Sequence, residues 1–302
     1  MISVAIPTLD GAADLERTLA AVGRQRVDGR EIEVVVLDSQ SADGTRAVAA
    51  RHGAAVHTLP REAFTHGGAR NRLMELSRGA HVAFLTQDAE PTDDRWLARL
   101  LGGFELGDDV GLSCGPYRAR PGASVMERRE LAEWFGAMGD APRVFRAADL
   151  GSPPAPGSAA FASSANLCLA RAAWQRVPFR DVTYAEDQQL VLDQLAAGRA
   201  KAWVPDATVL HSHAYGPGTR LRRWFDEFRA LHEVYGWTAP AHPRAVLGGI
   251  RADVVRDRAA GAPALPALGY RLERALGAAL GTRAGALPPA VRRALSLERR
   301  AG

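Results

Sequence analysis

Cysteine, long apolar runs and strong net charge are all scarce in this sequence. Its 302 residues include only two cysteines, Cys114 and Cys168. Both lie in apolar, strand-like surroundings, and they do not form a cysteine-based metal motif. The expectation is therefore two buried thiols in a cytosolic protein.

No apolar run approaches the roughly 20 residues that span a bilayer. Met1 leads directly into a predicted strand, without the basic and apolar regions of a signal peptide. We therefore expect a cytoplasmic protein. Peripheral attachment at the inner face of a membrane is left open.

The net charge of +4, from 38 basic and 34 acidic residues, is too small to indicate a nucleic-acid partner. The arginines nevertheless crowd the segment after residue 217. They include Arg220, Arg222, Arg223, Arg229, Arg292, Arg293, Arg299 and Arg300. Such a segment suits an anionic ligand or an anionic membrane surface, although a solvated helical face explains it equally well.

Strand and helix patterns alternate over the first ninety residues, which predicts a parallel sheet with right-handed crossovers. The predicted strands are residues 2–6, 32–37, 54–58 and 81–86. The predicted helices are residues 14–22, 45–52 and 67–78.

The pattern after residue 100 is less regular. It predicts strands at residues 110–117, 161–170 and 202–210 and a loop rich in proline, glycine and alanine at 139–158. Beyond residue 218 the sequence reads as helical.

Asp88 and Glu90 follow the apolar run at residues 82–85 almost directly. Open α/β sheets bind ligands at the carboxyl ends of their strands, and two acids there could hold a divalent cation through oxygen ligands. An isolated pair of this kind is more simply explained as a cap on the helix predicted to begin near Thr92.

Other polar groups also follow predicted strands or open predicted helices. Asp38 ends the second strand, where a carboxylate can accept hydrogen bonds from a base or ribose. The glycine-rich segment 64–71 runs into a helix whose free amides would attract phosphate. Arg70 opposes the dipole of that helix, which favours a ligand contact.

Glu186 and Asp187 open a later predicted helix, where acids are common for structural reasons alone. His211 and His213 follow the last predicted strand and lie on the same side of an extended chain. Imidazole groups placed there can complete a metal site that carboxylates begin.

Taken together, these features resemble the family 2 glycosyltransferases, which have the nucleotide-sugar-binding GT-A fold. The resemblance covers residues 1–236. It rests on residues 4–9 (VAIPTL), 38–45 (DSQSADGT), 64–71 (FTHGGARN) and 86–89 (TQDA), the last two being most similar to bacterial rhamnosyltransferases. The sequence departs from the usual Asp-x-Asp metal motif, because Glu90 stands where a second aspartate is expected.

The resemblance implies an α/β fold with a mainly parallel central sheet flanked by helices. It places a GT-A glycosyltransferase domain at residues 1–236 and a helical C-terminal extension at 237–302. Within the domain, residues 1–117 would bind the nucleotide sugar, and residues 118–236 would supply the acceptor and catalytic part.

The resemblance further implies an inverting, metal-dependent transfer of a sugar from a nucleoside diphosphate to an acceptor hydroxyl. Asp187 is the expected general base, and Glu186 would hold acceptor hydroxyls. The expected ligands of Mn²⁺ or Mg²⁺ are Asp88, Glu90, His211 and His213. The two histidines are alternatives for one ligand role, and His211, at the strand end, is favoured. The expected nucleotide-sugar contacts are Pro7, Thr8, Leu9, Asp38, Ser39, Gly67, Arg70, Gln87, Asp88 and Arg223, with Arg220 and Arg222 near the diphosphate.

The rhamnosyltransferase-like motifs favour a dTDP-linked deoxysugar, most simply rhamnose. A glycan, a lipid-linked precursor and a small molecule all stay open as acceptors. A non-catalytic nucleotide-sugar-binding scaffold is an alternative, against which Asp187 and Glu186 argue. A sugar nucleotidyltransferase is another, but residues 8–11 lack its glycine-rich basic signature.

Overall fold

A computed structural model describes residues 1–152, 157–182 and 184–298. Arg299, Arg300 and the proline-rich centre of the predicted loop at 139–158 lie outside the described residues. Eleven strands are assigned in the described part of the chain: β1 Ile2–Thr8, β2 Ile32–Asp38, β3 Ala55–Thr58, β4 His81–Phe84, β5 Glu90–Pro91, β6 Val110–Cys114, β7 Tyr117–Arg118, β8 Arg143–Phe145, β9 Leu167–Ala170, β10 Ala200–Trp203 and β11 Val209–Leu210.

Eleven α-helices accompany the strands in the same described ranges. They are α1 Ala12–Gly23, α2 Thr45–Arg51, α3 His66–Leu76, α4 Trp96–Gly102, α5 Val125–Gly136, α6 Arg171–Arg176, α7 Glu186–Ala196, α8 Pro217–Tyr235, α9 Pro243–Ala259, α10 Ala264–Gly281 and α11 Pro289–Leu295. Within the described ranges, no helix combines the length and the apolar character needed to cross a membrane.

An eight-stranded sheet with the order β3-β2-β1-β4-β9-β6-β10-β8 forms the centre of the molecule. Strands β1 to β4 are mutually parallel, as are β6 and β10, whereas β9 and β8 run antiparallel to their neighbours. The expected α/β fold with a mainly parallel central sheet and a helical C-terminal region is therefore confirmed.

The first strands are buried because their sequences are continuously apolar. Val35, Val36 and Leu37 of β2 are at most 1% exposed, as expected for a strand covered by helices on both faces. Helix α1 places Leu15 and Leu19 one turn apart against the sheet. The two cysteines are free and buried, as expected.

Three predicted strands are shorter or interrupted in the structure. The predicted strand 110–117 divides at Gly115, where a β-carbon would lie 2.0 Å from the carbonyl oxygen of Ala207. Asn166 holds the break, since its amide nitrogen donates to the carbonyls of Pro116 and Ala207 at 2.8 and 2.7 Å. The predicted strand 202–210 divides into β10 and β11 at the same place.

The predicted strand 161–170 is also too long, because strand structure is confined to β9 at its end. Residues 161–166 form an irregular segment whose main chain serves the functional site instead. The predicted loop 139–158 contains the short edge strand β8. The sequence does not predict β8, because three residues are too few to show the alternation of apolar and polar side chains that marks a strand.

The C-terminal helices pack on the rest of the chain rather than standing apart. Gly277 and Gly281 of α10 allow close contact with α8, where added β-carbons would lie 2.6 Å from Trp224 and 2.5 Å from the carbonyl oxygen of Phe225. Gly236 ends α8 with a φ of +68°, a conformation that suits glycine. The predicted domain boundary after residue 236 stays a prediction.

Candidate active site

A small three-stranded sheet, β5-β11-β7, brings Asp88 and His211 together. Glu90 of β5 lies opposite Leu210 of β11 in an antiparallel pair. Asp88 comes two residues before Glu90 and His211 one residue after Leu210, so both reach the same edge. The Asp88 carboxylate oxygen Oδ2 lies 3.3 Å from Nδ1 of His211 and 3.4 Å from Nδ1 of His213.

Asp88 therefore does not cap the following helix. The first turn of α4 begins at Trp96, with Arg95 in the capping position. The simpler explanation of the acid pair as a helix cap is wrong for Asp88, because residues 85–95 instead form the turn and strand that lead to α4.

The Asp88, His211 and His213 side chains have the composition of a divalent cation site. Their ligand atoms lie within 4.8 Å of one another. Nδ1 of His211 is buried, and no hydrogen bond satisfies it within the described residues. One carboxylate and two imidazoles suit Mn²⁺ somewhat better than Mg²⁺, which prefers oxygen ligands alone.

The charge states of this group also fit a cation. Burial would raise the pKa of Asp88, but the neighbouring His211 and, to a smaller extent, His213 lower it well below its ordinary value. Burial, assisted by neighbouring His211, lowers the pKa of His213 to about 4. An ionised carboxylate beside a neutral imidazole is the state that ligation requires.

Glu90 lies outside this group, although the sequence suggested it as a ligand. Its Oε2 lies 3.2 Å from Nη1 of Arg120, and Nη2 of Arg120 donates to the main-chain carbonyl of Asp88 at 2.5 Å. Glu90 thus holds the arginine that fixes the main chain at Asp88. This contact has no local sequence signal, because Arg120 is thirty residues distant from Glu90.

Glu186 and Asp187 both accept hydrogen bonds from Ser164. The main-chain amide of Ser164 donates to Oδ2 of Asp187 at 2.8 Å, and its hydroxyl donates to Oε1 of Glu186 at 3.0 Å. Ala185, just before the two acids, has a φ of +60°. Such left-handed backbone is costly for alanine and tends to occur at functional sites.

The two acids have opposite pKa shifts. Burial would raise the pKa of Glu186, but the charge of Arg70, whose Nε lies 3.1 Å from Oε1, leaves it lowered. Burial and the negative charge of Glu186 raise the pKa of Asp187 to about 7. Two carboxyl groups with separated pKa values are typical of an acid–base site, and Asp187 is the one near neutrality.

Arg70 and Glu186 therefore form a buried ion pair with each other. Arg70 is 4% exposed and Glu186 3% exposed. The sequence correctly marked Arg70 as unusual in a first helical turn, but its reason is the buried ion pair with Glu186. The same contact engages Oε1 of Glu186, which also accepts the Ser164 hydroxyl, and the role of Glu186 towards acceptor hydroxyls stays a prediction.

Gly67 is explained by packing. A β-carbon at Gly67 would lie 1.9 Å from the main-chain oxygen of Arg180, so a side chain cannot be accommodated. Thr65 caps α3 by accepting a hydrogen bond from the amide of Gly68 at 3.1 Å. The sequence predicted free amides for phosphate at this helix start, but the Gly68 amide is already engaged.

The ends of β1 and β2 form another wall of the site. Gln87 makes two hydrogen bonds to the main chain of Leu9, accepting from its amide at 2.9 Å and donating to its carbonyl at 3.2 Å. Pro7, Thr8, Leu9, Ser39 and Gln87 all line the cavity described below.

Asp38 lies behind this wall and is fully buried. It accepts hydrogen bonds from the amide of Ser41 at 3.0 Å and the hydroxyl of Thr8 at 3.4 Å. Sequence reasoning missed Arg61, whose guanidinium binds Asp10 at 2.8 Å and the carbonyl of Ser39 at 3.2 Å. A lone arginine in a turn carries no sequence signal of such a role.

The three arginines near the start of α8 have different partners. Arg223 stacks over Tyr184, with its guanidinium carbon 4.3 Å from the ring centre. Arg220 pairs with Glu273 at 2.7 Å, and Arg222 donates to the carbonyl of Ser296 at 2.5 Å. The expected diphosphate contact of Arg222 is therefore replaced by a contact with the chain itself.

Glu298 enters the site from the C-terminal side. Its carboxylate lies 3.3 Å from Nε2 of His66 and 3.6 Å from Nη1 of Arg223. Asp226 anchors the preceding residues, since it accepts hydrogen bonds from the Ser296 hydroxyl at 2.5 Å and the Leu297 amide at 2.6 Å. No sequence motif indicates that this segment reaches the site.

One cavity of about 1970 Å³ connects these groups. Its lining includes the residues at the ends of β1 and β2, the group of Asp88, His211 and His213, the acids Glu186 and Asp187, and Glu298. Trp134, Phe161 and Trp237 also line it, and Trp134 is 39% exposed. The cavity thus joins a metal-competent group to a carboxyl group that is ready to accept a proton.

Comparison with known proteins identifies glycosyltransferases by family, by sequence and by fold. The family described as Glycosyl transferase family 2 matches residues 3–165. The O-antigen chain rhamnosyltransferase WbaN of Salmonella anatum is 26% identical over 205 residues, which cover 67% of this chain and 63% of WbaN. RfbN of Salmonella typhimurium, also an O-antigen chain rhamnosyltransferase, is 25% identical over 74% of this chain and 70% of its own length.

A shorter match links the chain to the glycosyltransferase AglE of Haloferax volcanii, at 35% identity over 32% of this chain and 33% of AglE. The matched part thus spans less than two thirds of WbaN and one third of AglE.

Among solved structures, the mannosyltransferase PcManGT of Pyrobaculum calidifontis, in complex with GDP-Man and Mn²⁺, has a TM-score of 0.60 at 19% identity. The match covers 94% of this chain and 86% of PcManGT. Glucosyl-3-phosphoglycerate synthase of Mycobacterium tuberculosis, in complex with Mn²⁺, UDP and phosphoglyceric acid, has a TM-score of 0.55 at 23% identity, covering 78% of each chain. At this identity the likeness concerns the fold, and it confirms a GT-A-like architecture.

Proposed function

Because the chain belongs to glycosyl transferase family 2, we propose that it transfers a sugar from a nucleoside diphosphate to an acceptor hydroxyl with inversion at the anomeric carbon. One observation carries the proposal: a single cavity joins the Asp88, His211 and His213 group to Asp187. Direct transfer needs both charge stabilisation at the leaving diphosphate and a base at the acceptor.

Asp187 is the proposed base. Its pKa of about 7 lets it remain ionised in part of the population at neutral pH and still bind a proton effectively. The Ser164 amide, 2.8 Å away, holds the carboxylate in place. Glu186 acts through its negative charge, which raises the proton affinity of Asp187.

Asp88, His211 and His213 are the proposed ligands of Mn²⁺ or Mg²⁺. A divalent cation held there would neutralise negative charge that builds up on the leaving diphosphate. Arg120, which binds the Asp88 carbonyl and the Glu90 carboxylate, keeps the Asp88 turn in position for this role. Glu90 is therefore proposed as a positioning residue.

His66 and Arg223 are proposed to receive the donor diphosphate. In the structure they face the Glu298 carboxylate, at 3.3 and 3.6 Å, so this position accepts an anion. A diphosphate carries more charge than one carboxylate and would compete with Glu298 for the same two side chains. Donor binding would then displace the Glu298 side chain.

The nucleoside is proposed to lie against Pro7, Thr8, Leu9, Ser39 and Gln87. Asp38, behind this wall, keeps the turn after β2 in shape through its bond to the Ser41 amide. The names of WbaN and RfbN favour rhamnose as the transferred sugar. A dTDP carrier, or another deoxysugar in place of rhamnose, is proposed from the sequence motifs alone. A glycan, a lipid-linked precursor or a small molecule would bring its hydroxyl to Asp187 from the part of the cavity near Trp134.

A thermal-shift screen of nucleotide sugars with Mn²⁺, followed by product analysis, tests the proposal. A bound donor raises the unfolding temperature by mass action. Transfer releases a nucleoside diphosphate, whereas a nucleotidyltransferase reaction with a nucleoside triphosphate releases pyrophosphate. Binding of a donor without turnover, over a panel of acceptors and with Asp187→Asn as the inactive control, would instead identify a non-catalytic scaffold.

A further inference from the structure

The outer face of α10 is a continuous aliphatic stripe. Leu265, Leu268, Leu272 and Leu276 are 81%, 40%, 49% and 47% exposed. At 100° per residue they fall within an arc of about 80°. The charged residues of the helix lie elsewhere: Arg271 binds Asp257, and Glu273 binds Arg220.

The outer face of α9 combines aliphatic and cationic side chains. Leu247 and Val255 are 63% and 60% exposed. Arg244, Arg251 and Arg258 are also exposed and, by the same helical geometry, share one arc of about 80° with them. Within the described part of the chain, none of the three arginine side chains makes a hydrogen bond or ion pair.

The carboxylates of α9 are turned away from this face. Asp257 is fully buried and binds Arg129 and Arg271, and Asp253 lies between Arg129 and Arg256. The outer face of α9 is therefore basic without acidic groups. The arc at α10 adds apolar area without any charge.

Helices α9 and α10 form a hairpin joined by residues 260–263, and the inner side of α10 packs on α8 through Tyr270 and Trp224. The outer faces of the two helices are thus left to solvent by the described residues. Monomeric soluble proteins rarely expose an aliphatic stripe of this length, so the stripe indicates a docking surface.

We propose that the outer face of the α9–α10 hairpin, composed of the residues of these two arcs, docks on an anionic lipid bilayer. Aliphatic side chains at this position would enter the boundary between head groups and acyl chains, and the unpaired arginines would bind lipid phosphates. A second copy of the chain fits less well, because its own α9 face would present arginines to arginines. The charges of this surface select a polyanionic partner.

The position of the hairpin gives docking a functional consequence. Tyr270 and Arg274 of α10 line the cavity, while Leu272 and Leu276 of the same helix face outward. The cavity and the docking surface are therefore separated by roughly one helix diameter, about 10–12 Å. Docking would bring the acceptor side of the cavity close to the lipid head groups.

Sedimentation of the full chain with lipid vesicles tests this proposal without reference to sugar transfer. We expect binding to vesicles that contain phosphatidylglycerol, little binding to pure phosphatidylcholine, and weakening with added salt. The double variant Arg251→Gln/Arg258→Gln should bind about 25-fold more weakly, since each arginine near such a surface contributes about fivefold. Arg24→Gln, at an exposed arginine directly after α1, is the control.

The aliphatic stripe is tested by Leu268→Ser/Leu272→Ser, which should lower vesicle affinity by about tenfold or more. Leu106→Ser is the control, because Leu106 is 43% exposed in a different region. An unchanged unfolding temperature shows that each variant is folded. Equal binding to both vesicle types, or wild-type binding by both double variants, overturns the proposal. A dimer that dissociates on substitution of Leu268 and Leu272, without vesicle binding, also overturns it and identifies a second copy as the occupant.

Discussion

Glu90 and Leu210 lie opposite each other in the antiparallel pair of β5 and β11. This pairing, rather than proximity in sequence, brings the Asp88 turn to His211. A slip by one residue would turn alternate side chains to the opposite face and would separate the two groups. The geometry of the cation group therefore depends on two strands of two residues each.

Replacing the proposed base should stop transfer without stopping donor binding. Asp187→Asn keeps the size of the side chain but cannot accept a proton, so kcat should fall by about 10²–10⁴-fold. Titration calorimetry should show donor affinity close to that of the wild type. Asp193→Asn, on the same helix but paired with Arg180, is the control. Near wild-type turnover of Asp187→Asn at saturating donor would exclude Asp187 as the base.

The pH dependence of kcat should follow the ionisation of Asp187. The ionised carboxylate accepts the proton and the protonated form cannot, so kcat should rise with pH and level off above about 7. Because the charge of Glu186 contributes to the raised pKa, Glu186→Gln should move this limb to lower pH. A limb that stays in place would show that another group controls the profile.

Stability should show the opposite pH trend. A carboxyl group whose pKa is higher in the folded than in the unfolded state favours folding below the unfolded value, and this contribution is lost as pH rises through about 7. Asp187→Asn should therefore be more stable than the wild type at pH 8, and the difference should shrink towards pH 4. Thermal unfolding at both pH values measures it.

The different positions of Asp88 and Glu90 predict different effects on Mn²⁺-dependent donor binding. Loss of an outer partner of a metal site commonly costs about 10–100-fold in affinity, so loss of a ligand in Asp88→Ala should cost at least about 100-fold. Glu90→Gln should remain within about tenfold of the wild type, since it affects only Arg120. Asp94→Ala, at a more exposed acid nearby, is the control. Unchanged Mn²⁺-dependent affinity in Asp88→Ala would remove Asp88 from the cation site.

Glu298→Gln should strengthen donor binding. It removes the carboxylate that faces His66 and Arg223, so a nucleoside diphosphate no longer competes with a charge of the same sign. The expected gain is about two- to fivefold, which is the size of one partly exposed ion pair. Glu105→Gln, an exposed acid outside the cavity, should leave affinity unchanged. Weaker binding by Glu298→Gln would mean that Glu298 supports the donor site.

The sequence was a good guide to the position of polar residues that follow strand ends. The apolar runs before Asp38 and Asp88 were sufficient to place both residues at the carboxyl edge of the sheet. His211 was found in the same way, although the predicted strand before it proved to be two. The alternation of strands and helices also predicted the mainly parallel sheet.

Contacts between distant residues could not be read from the sequence. Arg70 was correctly singled out, but its partner Glu186 lies more than a hundred residues later. Gly67 lies in a segment that resembles a phosphate-binding loop. Its packing against the main-chain oxygen of Arg180, which leaves no room for a side chain, is visible only in the structure. Arg120 and Glu298 have no local pattern at all, because their roles arise from tertiary packing.

The residues of the cation group come from distant parts of the chain, next to β5 and next to β11, so the ribosome synthesises them at different times. Asp88 is synthesised about 120 residues before His211, an interval of roughly 6–25 s at about 5–20 residues per second. During that time strands β1 to β4 can form with Asp88 at their edge, but both imidazole partners are still missing. A nascent chain can therefore assemble the nucleoside wall well before it can hold a cation, and a truncated product would be unable to complete the site.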